Sequence, residues 1–346
     1  MQIWTKLIRS NFFIRLKRWE YWPFGIVHFP AILYYLWLSI RCRSLFFFSA
    51  SNPGIPMGGM LGESKFGVLK KIPKQFLPKT LFISLPTSVD KVIASLHENN
   101  LTFPIIFKPD VGERGFMVKR INNENEIEDY IKKVKIDFII QELIDMPIEL
   151  GIFYMRVPNE STGKVTSIVK KQMLCVTGDG KSTLQQLILQ KDRAKLQWET
   201  LKIIYIGRLN EILAEGEVLE LVSIGNHCLG TKFLNAEYLI NNQLSQVFDK
   251  ISSQIDGFFF GRFDLRCAST EDLYLGKIKI MELNGCGAEP AHIYQPGYSL
   301  FKAIAVLVKH WRNIFIVARE NHKCGVSYTT TKEAYQYYKT FKSALQ

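Results

Sequence analysis

Two late segments of the chain alternate in the manner of β-strands. They are Phe258–Arg266, with the sequence FFFGRFDLR, and Lys277–Asn284, with the sequence KIKIMELN. Side chains two residues apart on a strand point to the same face, and the polar segment 267–276 suits a hairpin turn between them. Antiparallel pairing would therefore bring four polar side chains onto one surface of a sheet. These side chains are Arg262, Asp264, Glu282 and Asn284.

Three of the four side chains offer oxygen ligands: Asp264, Glu282 and Asn284. Mg²⁺ takes a few carboxylate and amide oxygens from a protein and completes its shell with water and phosphate oxygens. Acidic residues are also common on exposed strands. From these residues alone, a magnesium site and a salt-bridged, solvated sheet face are equal alternatives.

A glycine-containing turn follows an apolar strand earlier in the chain. The strand Phe103–Phe107 leads into Lys108, and a second strand is predicted at Phe116–Ile121. Between them, the turn Gly112–Gly115 can direct backbone N–H groups at an anion. A plain hairpin turn is the default interpretation of such a turn, but Lys108 and Arg114 place cations beside it. Phosphate binding is therefore the alternative.

Two adjacent lysines lie on another predicted strand, Lys164–Val176. Because side chains alternate, Lys170 and Lys171 point to opposite faces and only one of them can face a site. The following turn, residues 177–182, is partly similar in sequence to the P-loop motif that binds phosphate, but it lacks the first glycine of that motif. It precedes a helix predicted from Thr183 to Gln190.

The first fifty residues differ in composition from the remainder. Residues 1–22 carry five Lys and Arg against one acid, and the uncharged run Phe24–Ile40 follows, with Arg41 and Arg43 behind it. The run is short for a bilayer span, Pro30 would kink a helix there, and cations on both flanks disfavour sending either end across. We expect a segment that lies in, or dips into, the inner face of the membrane. A hydrophobic helix that covers the catalytic domain is the alternative.

The bulk composition narrows the class of protein. The chain has 346 residues, 47% of them hydrophobic, and a net charge of +12, which would suit an anionic lipid or substrate. Nucleic acid is not an expected partner, because no zinc-finger or RNA-binding signature accompanies the charge. None of the six cysteines is spaced as a CxxC pair, which favours reduced thiols in the cytoplasm. Residues 52–62, rich in Gly and Pro, form either a linker or a substrate-binding loop, of which the linker is the simpler interpretation.

These pieces, in this order, resemble the ATP-grasp superfamily, and within it the D-alanine–D-alanine ligase and cyanophycin synthetase branches. The match runs from about Lys65 to about Tyr298, and it implies an α+β fold in which two subdomains clamp ATP. Lys108 and the loop Gly112–Gly115 resemble the family's first phosphate-binding motif, and Val176–Leu184 resembles its VTGDG segment. The substrate cannot be carried over, because the basic, aromatic N-terminal segment takes the place of the family's preceding domain.

The resemblance also implies a role for each site residue. ATP would be bound by Lys65, Lys108, Gly112, Arg114, Gly115, the adenine hinge Glu142, Leu143 and Ile144, the ribose ligand Glu149, and Lys170 or Lys171. Arg262 and Lys108 would be catalytic. Arg262 would stabilise the charge on the transferred phosphoryl group. Asp264, Glu282 and Asn284 would hold two Mg²⁺ ions, for which Mn²⁺ can substitute.

The predicted activity is a carboxylate–amine ligase that works through an acyl phosphate. A kinase that phosphorylates a small molecule and a non-catalytic nucleotide-binding protein are the alternatives. The partners expected are a small or lipid-linked carboxylate, an amine acceptor and an anionic membrane surface. The predicted domains are a membrane-associated segment at 1–51, a lead-in at 52–102, two ATP-grasp subdomains at 103–145 and 146–300, and a helical extension at 301–346.

Overall fold

The computed structural model describes residues 10–113, 115–222, 225 and 227–345, except for the side chains of 228, 344 and 345. The strands are β1 (Thr80–Ile83), β2 (Ile105–Pro109), β3 (Lys119–Ile121), β4 (Phe138–Glu142), β5 (Ile148–Met155), β6 (Lys164–Gln172), β7 (Cys175–Thr177), β8 (Val218–Glu220), β9 (Lys232–Asn235), β10 (Phe260–Cys267) and β11 (Ile278–Asn284). The helices are α1 (Asn11–Lys17), α2 (Phe24–Cys42), α3 (Lys65–Leu69), α4 (Val89–Glu98), α5 (Asn125–Lys133), α6 (Leu184–Gln190), α7 (Asp192–Lys195), α8 (Trp198–Ile204), α9 (Asn242–Ser252), α10 (Thr270–Tyr274), α11 (Leu300–Lys323) and α12 (Thr331–Leu345).

The first sheet has the strand order β1-β4-β2-β3, and all of its pairs are antiparallel. Its core is apolar and fully buried, with Ile105, Phe107, Phe138 and Ile140 from the central strands. Helices α4 and α5 supply the other side of this core through an apolar stripe each, as their helical spacing predicts.

The second sheet has the order β11-β10-β5-β6-β9, also antiparallel. One face packs on α9, where Phe263 and Leu265 meet Phe248 and Ile251. At the β10 start, the other face carries Phe260, which packs with α2, α11 and the segment 47–50 in a second apolar cluster. Two residues further along β10, this same face presents Arg262, so the helical layer adjoins the polar cluster.

Most predicted elements are present with shifted ends. Ser64 accepts a hydrogen bond from Gly67 N at 2.8 Å and so starts α3, which ends at Leu69. Thr183 caps α6 through a capping box. The predicted strands at residues 258–266 and 277–284 form β10 and β11.

Two predictions were wrong in detail. The single strand predicted at 164–176 is two strands in different sheets, β6 and β7, because the chain leaves the large sheet after Gln172. The segment 267–276 is not a simple turn but contains α10, capped by Ser269, which accepts from Asp272 N at 3.1 Å. Strand β5 was not predicted, although it lies at the centre of the second sheet.

Helix α2 runs through Pro30 without interruption from Phe24 to Cys42. It is the one helix among the described residues that is long and apolar enough to cross a membrane, judged by length and composition, with a mean hydropathy of 1.2. It packs lengthwise on α11, where Val27 and Ala31 meet Ala303 and Leu307. The covering-helix alternative therefore holds for one side of α2, and its other side is exposed.

Candidate functional site

The predicted polar cluster forms where β10 pairs with β11. In this antiparallel pair Asp264 lies opposite Glu282, and Arg262 lies opposite Asn284. The alternation in the two segments is sufficient to place these four side chains on one face. On this face Asp264 is buried at 4% exposure, whereas Glu282 and Asn284 are half-buried.

Arg262 and Asp264 form a bidentate ion pair. Nε of Arg262 donates to Oδ1 of Asp264 at 2.7 Å, and Nη2 donates to Oδ2 at 3.0 Å. Burial alone would raise the pKa of Asp264, but Arg262 and Lys171 outweigh it, and the pKa is lowered. Asp264 is therefore ionised at neutral pH, and a carboxylate has further lone pairs with which to bind a cation.

The side chains of Glu282 and Asn284 have unused hydrogen-bonding capacity. None of the described residues donates a hydrogen bond to the Glu282 carboxylate. The amide nitrogen of Asn284 is buried without a partner in the described part of the chain. Buried polar atoms normally have a partner, so both groups are suited to a bound ligand.

Lys171 joins this cluster from β6. Its Nζ lies 3.0 Å from Oε1 of Glu149 and 3.6 Å from Oδ2 of Asp264. Burial would lower the pKa of Lys171, but the two carboxylates outweigh it and raise the pKa. Lys170 lies on the other face, in register with Leu150 of the α9-side core. Of the two candidate lysines, Lys171 is the one beside Asp264.

A glycine on β5 makes room for the ion pair. Gly151 is in register with both Asp264 and Val169. A Cβ at Gly151 would lie 3.0 Å from Oδ1 of Asp264, 3.1 Å from Cδ of Arg262 and 2.8 Å from Cγ1 of Val169. The close approach of Arg262 and Asp264 to the β5 backbone thus requires glycine at this position.

Lys108 connects the two sheets. It ends β2 at 7% exposure, and its Nζ donates to Oε1 of Gln141 and to the carbonyl of Met281, each at 3.0 Å. Met281 is the extra residue of a bulge between β10 and β11, which follows the Asp264–Glu282 pair. Burial lowers the pKa of Lys108 to about 8, although the charge of Glu282 acts against it.

Lys65 contacts the glycine loop, and its predicted role toward the ATP phosphates stays a prediction. Its Nζ donates to the carbonyl of Gly112, and Asp110 fixes the helix start by accepting from Phe66 N at 2.8 Å. Gly112 and Gly115 have φ angles of +145° and +75°, which favour glycine. Arg114 lies outside the described residues.

The predicted adenine hinge and ribose ligand are held by protein groups. Glu142 accepts from the backbone N of Lys79 at 3.1 Å, and the carbonyl of Ile144 accepts from Arg266 at 3.1 Å. Leu143, between them, is half-buried. Glu149 is 7% exposed and accepts from Nη2 of Arg266 at 2.7 Å, besides its contact with Lys171. Their roles toward adenine and ribose remain predictions.

The Gly/Pro-rich loop is part of the site wall, which sequence reasoning did not favour. Cys286 N donates to Gly58 O at 3.0 Å, and Gly287 N donates to Gly59 O at 2.9 Å, directly after Asn284. A Cβ on Gly59 would lie 2.6 Å from Cα of Gly285. The two backbones therefore approach too closely for a side chain at Gly59. The matched glycines in 58–59 and 285–287 were the available signal for this pairing.

Glu63, at the end of this loop, was also missed. Burial raises the pKa of its carboxyl group, and the negative charge of nearby Glu282 acts in the same direction while Lys65 opposes it. A further acid therefore lies close to the predicted metal ligands. In the part of the chain described, no group of three or more His, Cys, Asp or Glu is arranged to hold a metal ion.

The helix α2 reaches the site through His28. Nε2 of His28 lies 2.9 Å from Oε1 of Glu289, and Tyr294 donates to Oε2 of Glu289 at 2.8 Å. Burial would raise the pKa of Glu289, but His28 and Tyr294 outweigh it and lower the pKa. The carbonyl of Glu289 accepts from Nη1 of Arg262 at 3.1 Å. Three contacts thus connect α2 with Asp264.

No family model matches the chain, and the search of curated proteins gives no match. Solved structures do resemble it. A bifunctional glutathione synthetase from Pasteurella multocida shows 15% identity and a TM-score of 0.38, over 71% of this chain and 36% of that one. A D-Ala:D-Ser ligase from Enterococcus faecalis shows 13% identity and a TM-score of 0.41, over 74% and 62%. A D-alanine–D-alanine ligase from Bacillus anthracis shows 13% identity and a TM-score of 0.42, over 76% and 69%.

By name, these three proteins are one synthetase and two ligases. This chain spans only 36% and 62% of the first two. At TM-scores below 0.5 and identities of 15% or less, the similarities by themselves establish neither the reaction nor the substrate.

Proposed function

We propose that this chain is an ATP-grasp ligase that activates a carboxylate with ATP and joins it to an amine. The observation that carries the proposal is the meeting of three cations with an oxygen-rich cluster where the two sheets touch. The cations are Lys108, Lys171 and Arg262, and the acids are Asp264 and Glu282. Phosphoryl transfer needs this combination, because positioning and charge stabilisation account for most of its catalysis.

In the proposed reaction the carboxylate attacks the γ-phosphate of ATP, ADP leaves, and the amine then displaces phosphate from the acyl phosphate. Asp264, Glu282 and Asn284 would hold Mg²⁺, which neutralises the charge of the phosphates when bound. Lys108 and the loop Gly112–Gly115 would hold the phosphates in line.

Arg262 would stabilise the transferred group. Asp264 and the Glu289 carbonyl use three of its N–H groups and fix its plane. A guanidinium has five N–H groups, so two remain for phosphoryl oxygens. Because the group is already oriented, little reorganisation is needed when charge develops.

The test is release of ADP from Mg·ATP by Asp264→Asn and Glu282→Gln. Loss of an electrostatic contact to the reacting phosphate lowers the rate roughly 100-fold or more. The rate of ADP release by each variant should therefore fall by at least that factor. Exposed acids supply matched controls, Asp129→Asn on α5 and Glu271→Gln on α10, which should keep wild-type rates. If all four variants turn over ATP equally, the assignment of the metal ligands fails.

The same assay separates ligase from kinase. A ligase should release more ADP when an amine acceptor is present and should form an amide-type product. A kinase would leave a phosphorylated product and would not respond to the amine. Absence of any Asp264-dependent turnover across carboxylate substrates would favour a non-catalytic nucleotide-binding protein.

The site of action that we propose is the cytoplasmic face of the membrane, with an anionic or lipid-linked substrate. The apolar helix α2 and the net charge of +12 support it. Cell fractionation tests it, because fully soluble behaviour of the intact chain would contradict this location.

A further inference from the structure

Helix α2 has two different apolar faces. The residues Val27, Ala31 and Leu38 are buried against the protein, at most 3% exposed. The opposite face exposes Ile26 at 59%, Phe29 at 58%, Leu33 at 52%, Leu36 at 43%, Trp37 at 48% and Ile40 at 76%. Large exposed apolar patches of this kind mark interaction surfaces.

Exposed apolar side chains are also present on α1 and α11. The side chains of Phe12 and Leu16 on α1, and of Phe301 at the start of α11, are exposed at 68%, 54% and 84%. We call the exposed stripe of α2, taken together with these side chains, the α1–α2–α11 face.

Charge identifies the partner of this face. Its helices and their flanks carry ten cations: Arg15, Lys17, Arg18, Arg41, Arg43, Lys302, Lys309, Arg312, Arg319 and Lys323. Residues 10–51 and 300–323 contain two acids, Glu20, which is buried and ion-paired with Arg193, and Glu320, which is ion-paired with Lys323. An apolar stripe on helices with this excess of cations suits a bilayer with anionic lipid headgroups.

The packing of α2 sets its orientation. Its buried face lies along α11, with Val27 and Ala31 against Ala303 and Leu307, and with Leu38 beside Ile314 further along. Crossing a bilayer would require this face to leave α11. An orientation in the membrane plane keeps the contact and still covers the exposed stripe.

The candidate site lies directly behind this helix. His28 projects from the buried side of α2 to Glu289, and the Glu289 carbonyl holds Arg262. Two residues, His28 and Glu289, thus separate the backbone of α2 from the guanidinium that would contact the phosphoryl group. A substrate anchored in the bilayer would need to extend past one helix only.

We propose that the α1–α2–α11 face seats in the plane of an anionic bilayer, and that the reaction behind it acts on the headgroup of a lipid-anchored carboxylate. The second part rests on the proposed ligase function. The first part depends on the apolar stripe and its cations alone.

The experiment is co-sedimentation of the full chain with vesicles. Binding should be strong to vesicles of phosphatidylcholine with phosphatidylglycerol, weak to phosphatidylcholine alone, and reduced by salt. Leu33→Glu should reduce binding roughly 10-fold or more, since it places a charge on the exposed apolar stripe that would contact the bilayer. Leu275→Glu is the matched control, because Leu275 is exposed at 62% beside α10 on the far side of the sheet, and it should bind as wild type.

The orientation is read from quenching by brominated lipids. Quenching of Trp37 should be greatest with bromines near the headgroup, and Trp37→Phe should remove that component. Deep quenching would overturn the in-plane orientation. Equal binding by Leu33→Glu and wild type, or no vesicle binding at all, would overturn the surface assignment, as would a Leu33-dependent dimer that binds no vesicles.

Failure of the ligase function would look different. Asp264→Asn should bind vesicles as wild type does, whatever its turnover. If vesicles bind and Asp264-dependent ADP release is seen, but a lipid-anchored carboxylate never raises that release above the level of its soluble headgroup, the substrate assignment is wrong and the surface assignment stands.

Discussion

Lys170 and Lys171 are neighbours on β6 with different surroundings. Lys171 contacts Glu149 and Asp264, whereas Lys170 lies on the α9 side in register with Leu150. Removing Lys171 leaves two buried carboxylates with one cationic partner each, Arg266 for Glu149 and Arg262 for Asp264. The pair therefore offers a test in which one lysine is the control of the other.

We expect Lys171→Met to lower the free energy of unfolding by about 1.5–3 kcal/mol, the usual range for a hydrogen bond to a charged group. It should also weaken the binding of an ATP analogue, and Lys170→Met should change both quantities less. Urea denaturation and analogue titration measure them. A larger loss in Lys170→Met would mean that the wrong lysine has been placed in the site.

At the scale of elements, α11 meets the second sheet through His310. The ring packs on Phe153 and Phe260, with centroid separations of 5.2 Å in both pairs. Burial lowers the pKa of His310 to about 4, although the charge of Glu289 acts against it. The neutral ring is thus the form that the folded protein accommodates.

This burial predicts an acid dependence of stability. Below the unfolded-state pKa of about 6.5, the unfolded chain binds a proton that the folded chain excludes, so the free energy of unfolding falls as the pH drops toward 4. The loss from His310 should reach about 3 kcal/mol, at 1.36 kcal/mol per pKa unit. Between pH 7 and pH 4.5, the free energy of unfolding of His310→Leu, measured by urea denaturation, should therefore fall less than that of the wild type. Equal losses in both proteins would contradict this account.

At the scale of the whole molecule, Lys108 bridges the two sheets at the site, as does Gln141, whose Nε2 donates to the carbonyl of Met281 at 3.4 Å. The buried ammonium of Lys108 contacts Gln141 and Met281, and no carboxylate of the described residues lies within hydrogen-bond distance of it. A buried cation without a paired anion costs folding free energy, and a bound phosphate would offset that cost. Nucleotide binding should therefore stabilise the whole chain through this residue.

We expect a non-hydrolysable ATP analogue with Mg²⁺ to raise the midpoint of thermal unfolding. At a concentration 100 times its Kd, the gain is about 2.7 kcal/mol. Lys108→Met should lose most of the shift, and the exposed Lys70→Met should keep it. A full shift in Lys108→Met would remove Lys108 from the nucleotide site.

The sequence by itself determined local features that depend on neighbours along the chain. Period-two alternation identified β10 and β11 and put Arg262, Asp264, Glu282 and Asn284 on one face. The helix predicted from Thr183 to Gln190 corresponds to α6, whose first turn Thr183 caps. These features follow from local geometry, because a strand fixes side-chain direction and a cap satisfies its own first turn.

Only the tertiary structure decided how distant segments meet. It inserted β5 between β6 and β10, placed Lys171 rather than Lys170 beside Asp264, and paired the Gly/Pro loop with residues 285–287. It also showed that one apolar helix, α2, is buried on one side and exposed on the other. Composition could not resolve that division, because both faces of α2 are apolar. Burial depends on which face α11 covers, and that contact joins residues almost three hundred positions apart.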